Sequence, residues 1–515
     1  MADEVELKLA LAPGHQSRFL RHPLLKQAVE RHAEILDNIY YDTRDLSLRR
    51  QGIALRLRRK GRDWLQTVKL AGNAAVGLSS RPEWETPYHG HFDFSPVDQA
   101  AVREWLQRPK LLARIVPICE TRFRRVTWKF PAPPGSVLLT LDRGWITASG
   151  RREAISEVEL ELAGAPVQAI FDLAAQLARR TALTPSALSK AERGYRLHRG
   201  TPATPVTAAT VALSASMPAL DGFRRIAVSC LEHLQQNHQG ALRSDNPEYV
   251  RQMRVATQRL RAALRLFAPV LPAHLADALR EPFSPLMAQL GRVRDLDVLL
   301  SEIVNPVLRA QPDEPRLPAL AGDITNRRDA ALAQARALLA APNYGCALLT
   351  ALEALHRVPP ADPAMVPLVG FAAERLKHLG AELRRLATAA DGEDPASLHA
   401  LSFGVKGLHS ALELFSPLAP RRSLQQVLKP LGLIQNTLNR LAELTSAGGM
   451  LIECAGDDPR LREAVTLIGG WHGSRYARLL ARMARERGPL DAAASATIEL
   501  AAGFATDRAT AGFNP

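Results

Sequence analysis

The sequence predicts a chain of mixed class, a β-barrel domain followed by an all-helical domain, and three observations predict it. Strands of alternating polarity in the first part carry charges of both signs, each strand keeping its charges on one face. An uncharged stretch rich in Pro, Thr and Ser, from about Gly200 to Leu220, then interrupts the chain. Beyond it almost everything is Ala, Leu and Arg at helical spacing, and one segment recurs 148 residues later.

The first strand reads Glu4-Val5-Glu6-Leu7-Lys8. Successive side chains of a strand point to opposite faces, so Glu4, Glu6 and Lys8 share one face and Val5, Leu7 and Leu9 the other. One such strand reads equally well as a half-buried strand with its charges in water. Repetition decides against that. Leu55-Arg56-Leu57-Arg58 puts two guanidiniums on one face, and the next apolar run carries Lys69. The run Thr121 to Trp128 is as basic; positions 124 and 125 lie on opposite faces, and Arg125 is taken as the inward one. Thr140-Leu141-Asp142-Arg143-Gly144 follows, and Glu157-Val158-Glu159-Leu160-Glu161-Leu162 repeats the acidic alternation. Turns at Ala71-Gly72-Asn73 and Pro133-Pro134-Gly135 separate the β runs, and a helical stretch spans about Pro166 to Arg180. Charged strands of both signs with apolar opposite faces suit a closed barrel with a polar lumen. Its carboxylates would hold hard divalent cations through oxygen and its guanidiniums a polyanion. The implied ligand is a metal-chelated phosphate chain.

At 515 residues the chain is too long for one ordinary domain, and two or three are expected. Lys plus Arg number 66 against 52 acidic residues, a net +14, which favours polyanionic partners and leaves nucleic acid, anionic membrane and polyphosphate open. Only Cys119, Cys230, Cys346 and Cys454 occur, far apart, which argues against a disulfide framework or a zinc site and for a reducing cytoplasm. No signal-peptide pattern opens the sequence, and its longest uncharged stretch is a linker rather than a membrane span.

In the helical part, Pro247–Pro272 aligns without gaps onto Pro395–Pro420, and the same offset of 148 carries Leu290 onto Leu438, Arg292 onto Arg440 and Asp295 onto Glu443. A duplicated helical bundle follows. In the first copy Arg251, Arg254, Arg261 and Arg265, with Gln258 between, form one helical stripe, and Met253, Ala256, Leu260, Ala263, Leu264 and Phe267 an apolar one. The second copy has His399, Ser402, Lys406, His409 and Glu413 at the basic positions. A solvated basic face is the ordinary explanation of such a stripe. Its return on a duplicated helix favours an anion-binding groove.

Two resemblances follow from these residues. The ordered set Glu4-x-Glu6-x-Lys8, Tyr41-Asp42-Thr43, Arg56-x-Arg58, Lys69, Arg81-Pro82-Glu83, Asp142-x-Gly144, Glu157-x-Glu159-x-Glu161 and Ser189-Lys190-Ala191-Glu192-Arg193-Gly194 resembles the CYTH, or triphosphate tunnel metalloenzyme, family. That resemblance implies an eight-stranded antiparallel β-barrel enclosing a tunnel, and hydrolysis of a terminal phosphoanhydride with Mg²⁺ or Mn²⁺. Met253-Arg254-Val255-Ala256-Thr257-x-Arg259-Leu260-Arg261 and Leu290-Gly291-x-x-Arg294-Asp295-Leu296-Asp297 resemble the CHAD domain, an all-helical module with internal two-fold repetition that binds inorganic polyphosphate. The combination resembles that of the bacterial inorganic triphosphatases that carry a C-terminal CHAD domain. This chain departs from the CHAD pattern at Arg251, where His is usual, and at Ser402 and Gly407, where Arg or Lys is usual. A weaker or mainly structural second repeat is expected. The domains implied are 1–198 for the barrel, 199–218 for the linker and 219–505 for the helical bundle.

Roles then follow by charge. Glu4, Glu6, Glu159 and Glu161 would be the metal ligands, and Glu6, Asp142 and Glu161 the catalytic carboxylates, Asp142 as a further ligand or water-positioning base. Lys8, Arg56, Arg58, Lys69, Arg125 and Lys190 bind the substrate phosphates. Glu157 is placed on the same face, at the rim, and a surface ion pair is the competing reading for Arg81 and Glu83. Arg251, Arg254, Arg261, Arg265, His399 and Lys406 are the candidate polyphosphate contacts. The expected activity is metal-dependent hydrolysis of inorganic triphosphate to pyrophosphate and phosphate. The alternatives are a polyphosphate-binding or granule-associated protein with a weak tunnel, or a tunnel acting on thiamine triphosphate or nucleotides. No recognition helix or aromatic base platform is present, which disfavours nucleic acid, and no membrane partner is expected.

Overall fold

In the computed structural model residues 4–358, 366–390 and 394–510 are described, and the chain divides into two compact units. The first contains Met1–Thr204 and Ala340–His356, the second Pro205–Leu339 and Arg357–Pro515.

The first unit is built on strands β1 (Glu4–Leu11), β2 (Glu30–Thr43), β3 (Ile53–Lys60), β4 (Asp63–Leu70), β5 (Asn73–Ala75), β6 (Leu78–Arg81), β7 (Glu83–Pro87), β8 (Ile115–Ala132), β9 (Gly135–Ala148), β10 (Arg151–Ala163) and β11 (Leu183–Pro185). They form one antiparallel sheet in the order β5-β6-β1-β10-β9-β8-β2-β3-β4-β7, with β11 on β1. Only Pro82 separates β6, which pairs β1, from β7, which pairs β4. The path therefore returns to itself, and with β6 and β7 counted as one bent strand the ring has eight members: β1, β10, β9, β8, β2, β3, β4 and β6/β7. Proline suits the bend because it has no ladder N–H to lose there, while its carbonyl still accepts from Leu70 N at 3.2 Å.

The alternation read from sequence decides what faces where. Leu7, Leu9, Val158 and Leu160 are fully buried on the face opposite the charges of β1 and β10, and helix α5 (Val167–Ala178) packs against β10 with Ile170, Phe171, Ala174 and Leu177 buried. Short helices α1 (Gln16–Leu20), α2 (Ser47–Arg50), α3 (Ala100–Leu106) and α4 (Pro109–Leu112) supply Phe19, Leu48, Leu106 and Leu111 to the buried shell elsewhere. The sheet thus buries its apolar side outward beneath helices and keeps its charges inside. Helix α6 (Lys190–Arg199) packs on the inner side, Leu197 meeting Leu36, Phe123, Ile146 and Ile155. Ser189 caps it by accepting from Glu192 N at 3.1 Å, so Lys190 is its first residue.

The second unit repeats itself at the predicted offset. Helix α7 (Ala219–Arg243) corresponds to α14 (Leu368–Ala389), α8 (Pro247–Phe267) to α15 (Pro395–Leu414), and the single 3₁₀ turns Ala268–Val270 and Ser416–Leu418 coincide after 148 is added. In the first copy Pro282 lies in a 3₁₀ turn between α9 (Ala273–Arg280) and α10 (Ser284–Val298); its equivalent Pro430 lies inside one long helix, α16 (Arg421–Ala455). A π-helical turn, Leu299–Val304, leads into α11 (Asn305–Ala310). Helix α12 (Arg316–Ala340) matches α17 (Pro459–Arg485), and in sequence α13 (Pro342–Arg357), which falls almost wholly in the first unit, matches α18 (Arg487–Thr510). Residues 201–214 have no regular structure, but Val206 is fixed to α7: its N–H donates to Asn237 Oδ1 at 3.0 Å and its carbonyl accepts from Asn237 Nδ2 at 2.9 Å. No single helix among the described residues is long and apolar enough to cross a membrane.

Candidate active site

The inward faces of seven strands and the first turn of α6 converge on a cavity of about 220 Å³, lined by Glu6, Lys8, Arg56, Arg58, Lys69, Arg125, Glu159, Glu161 and Lys190 among others. These are residues singled out by sequence. The strand register explains the convergence: Glu6 pairs with Glu161 and Lys8 with Glu159 across β1 and β10, and Arg125 pairs with Asp142 across β8 and β9. The side chain of Glu4 lies outside the described residues.

Within the lumen charges of opposite sign are interleaved. Lys190 Nζ sits among three carboxylates, 2.7 Å from Asp142 Oδ2, 3.0 Å from Glu159 Oε1 and in contact with Glu157. Arg125 donates from Nε and Nη2 to both oxygens of Asp142, at 2.8 and 2.6 Å, and from Nη2 to Glu159 Oε2 at 2.6 Å. Lys8 Nζ lies 3.4 Å from Glu159 Oε1. Burial opposes ionisation of Glu159, yet Lys190, Lys8 and Arg125 hold its carboxyl well below the usual range. Burial likewise works against the Lys190 ammonium, and Asp142, Glu157 and Glu159 outweigh it and raise its pKa.

Arg58 is different. Its Nε donates to Asn38 Oδ1 at 3.0 Å, and no carboxylate pairs with it among the described residues. Desolvation, with Arg56 and Arg125 nearby, pulls its guanidinium down to about 10. An amide oxygen, and among the described residues no paired carboxylate, holds this cation in place.

Three expectations change. Asp142 does not line the cavity: it is fully buried, and both its oxygens are engaged by Arg125 and Lys190, so it orients those two cations rather than water. Glu157 is not at a rim but buried, bound to Lys190 and to Arg193 Nη1 at 3.2 Å. Arg81 and Glu83 are not a surface pair. Both line the cavity, Arg81 Nη2 lying 2.6 Å from Glu6 Oε1 and Glu83 Oε2 2.7 Å from Lys69 Nζ. The strand position of Arg81 and Glu83, two residues apart around Pro82 and hence on one face, was the signal that could have placed them.

An oxygen-only donor set suits a hard dication. Glu6, Glu159 and Glu161 offer one on adjoining strands at the cavity wall. Asp142, Glu157 and Glu159 form a tighter group, with carboxylate oxygens within 4.8 Å of one another, but Lys190 already occupies its middle.

The second unit has a larger cavity, about 840 Å³, between α8, α10, α15 and α16. Arg254, Arg261 and Arg265 line it from α8, and His399 and Lys406 from α15, as the repeated stripe predicts. Arg251 does not: it is exposed and turned to Glu248, with Nε 2.6 Å from Oε2, an i,i+3 pair on the same helix. Arg294 joins the lining from α10. The π-helical turn contributes Leu299 and Ile303, and Arg265 lies over the ring of Phe403 at 5.0 Å. The cations crowd one another. Burial and Arg294 lower the pKa of Arg254, although Asp295 opposes them; burial and Arg261 lower Arg265, and burial and Arg254 lower Lys406.

Comparison with known proteins agrees with both regions. Residues 2–195 match the CYTH domain and residues 225–451 the CHAD domain. The inorganic triphosphatase of Haemophilus influenzae is 32% identical over 198 residues, which is 38% of this chain and 55% of that relative, so the chain spans little more than half the relative's length. Among solved structures, the CHAD domain of the plant Ricinus communis is 30% identical over 57% of this chain and 96% of its own, with a TM-score of 0.47. A putative adenylyl cyclase from Hippeastrum, described as having dominant triphosphatase activity, is 20% identical over 38% of this chain and 95% of its own, with a TM-score of 0.29.

Proposed function

The chain carries a CYTH domain followed by a CHAD domain, and from that premise and the lumen geometry we propose that it hydrolyses inorganic triphosphate to pyrophosphate and phosphate inside the barrel. The observation that carries the reading is the cavity itself, where seven cations and four carboxylates meet and Arg58 pairs with no carboxylate among the described residues. A phosphate chain would supply the missing anion. The relative from Haemophilus supports the substrate class.

Phosphoryl transfer asks a protein mainly for positioning and charge neutralisation. Arg56 and Arg58 present guanidinium forks to phosphate oxygens, and Lys8, Lys69 and Lys190 act as point charges. Asp142 and Glu157 keep Lys190 and Arg125 charged and aimed at the lumen. Glu6 and Glu161, which reach the cavity, orient the attacking water and accept its proton. Glu6, Glu159 and Glu161 would hold Mg²⁺ or Mn²⁺, which when bound neutralises charge on the phosphate chain and lowers the pKa of bound water.

The helical groove supports a second activity, polyphosphate binding, because Arg254, Arg261, Arg265, Arg294 and Lys406 crowd one cavity, and burial and neighbouring cations lower the pKa of Arg254, Arg265 and Lys406. A cytoplasmic location, on granules of the polymer, belongs to the same proposal. The test is phosphate release with Mg²⁺ or Mn²⁺ from tripolyphosphate, thiamine triphosphate, ATP and long-chain polyphosphate side by side. Preference for tripolyphosphate is expected; preference for another substrate reassigns the tunnel, and release from none leaves the chain a binding protein.

A further inference from the structure

The internal repeat predicts where α13 should pack. Adding 148 to Pro342–Arg357 gives 490–505, which lies inside α18, and α18 packs on α14, the counterpart of α7. Two-fold symmetry would therefore lay α13 on α7. Residues 340–356 belong instead to the barrel unit. Gln168 Nε2 of α5 donates to Glu353 Oε1 at 2.8 Å, and the rings of Phe171 and His356 lie 5.5 Å apart. Gly345 approaches β11 so closely that a Cβ there would overlap the carbonyl oxygen of Leu183.

The sequence of the second copy marks these contacts as particular to the first. The repeat equivalents of Gly345, Glu353 and His356 are Ala493, Ala501 and Phe504. Glycine inside a helix costs about 1 kcal/mol against alanine, so one retained in a buried helix needs a packing reason. Here the reason is a backbone oxygen that cannot move without moving its strand.

That strand is paired to β1, whose Glu6 and Lys8 line the lumen. Leu183 and Pro185 of β11 pair with Leu11 and Leu9 of β1, and Ser186 N donates to Lys8 O at 2.9 Å. Lys190 follows as the first residue of α6. Both lysines line the cavity. We propose that α13, encoded in the middle of the helical repeat, is an element of the barrel domain, and that Gly345 positions Lys8 and Lys190 by letting α13 seat against β11. The catalytic consequence, though not the placement of the helix, rests on the triphosphatase reading above.

The experiment compares the full chain with Gly345→Ala and with Ala493→Gly, its repeat equivalent, by amide hydrogen exchange and by tripolyphosphate kinetics. In Gly345→Ala, exchange at Lys8–Leu11 and Leu183–Ser186 is expected to rise about tenfold or more, with the α8 and α15 amides unchanged and kcat lowered. Ala493→Gly should leave the barrel amides and kcat as they were. Unchanged exchange on β11 in Gly345→Ala overturns the proposal, as does an equal effect of Ala493→Gly on the barrel. Should Gly345→Ala fail to fold, Glu353→Ala removes the bond to Gln168 more gently, and it must still loosen the barrel amides or the proposal falls. A parent chain inert toward every phosphate defeats the triphosphatase reading alone, since exchange still reports on the helix.

Discussion

Replacing Lys190 by methionine should destabilise the barrel in a way that depends on pH. Lys190 is 8% exposed, and its ammonium touches Asp142, Glu157 and Glu159, whose carboxylate oxygens lie within 4.8 Å of one another. At that separation and an effective dielectric constant of about 20, two carboxylates repel by about 3.5 kcal/mol. Arg125 still faces Asp142 and Glu159, and Arg193 still faces Glu157, so part of the repulsion is offset. The expected loss at pH 7 is about 3–5 kcal/mol, the range for breaking a buried ionic network. The sign with pH follows by linkage. In the parent, Glu159 is held below its unfolded value of 4.5, so its contribution is present above that value and is lost as pH falls through the folded one. In the variant Glu159 keeps its burial but loses Lys190, the largest of the charges that hold it down, so the folded state takes up a proton more readily and the penalty shrinks as pH falls from 7 toward 5. Urea unfolding at both values, followed by tryptophan fluorescence of the barrel, measures the gap. A gap that is the same at both values, or below about 1 kcal/mol at pH 7, would refute the assignment of Lys190 as the counter-ion of this cluster.

Arg58→Ala should raise the KM for tripolyphosphate by about tenfold or more while leaving urea stability equal or higher, because it deletes a cation that pairs with no carboxylate among the described residues; a marked loss of stability would show that Arg58 is paired. Glu161→Ala should lower kcat by about a hundredfold or more with the barrel still folded by circular dichroism, and near-parental turnover would remove it from the site. Arg261→Glu and Lys406→Glu should each weaken polyphosphate binding in a salt-titrated assay, whereas Arg251→Ala, off the groove, should bind as the parent does. Cys119 and Cys230, whose thiols burial pushes up to about 12, should resist maleimide labelling at pH 8 until urea unfolds the chain.

Much of the lumen was legible because a strand has a period of two. Once Glu6 faces inward, so do Lys8 and, through the register, Glu159 and Glu161. The period says which residues share a face but not how far along the barrel each sits, and that is why Asp142 was read as a further metal ligand or water-positioning base. It stands on the right face, yet Arg125 and Lys190 close over it. Arg81 and Glu83 escaped because two opposite charges two residues apart read equally well as a surface ion pair, and the pairing of β6 with β1 and of β7 with β4 is what turns both into the lumen. On α8 the stripe was correct as a stripe; Arg251 fell off its working length because Glu248, one turn back, offers a nearer partner. The placement of α13 was out of reach, since an amphipathic helix states that it will be covered and not by what.

The seam at Pro82 bears on how this protein behaves when crowded. An open sheet ends in rows of unpaired amides and carbonyls that invite a neighbour to add another strand, and a chain with two long terminal strands would be prone to aggregate. Here a single stretch of ten residues, Leu78–Pro87, serves β1 with its first half and β4 with its second, so no long strand of the ring is left without a neighbour on either side. A protein proposed to work on polyanion granules, where local concentration is high, is thereby spared a templating surface, and a substitution that straightened or frayed the seam should reveal itself first as insolubility.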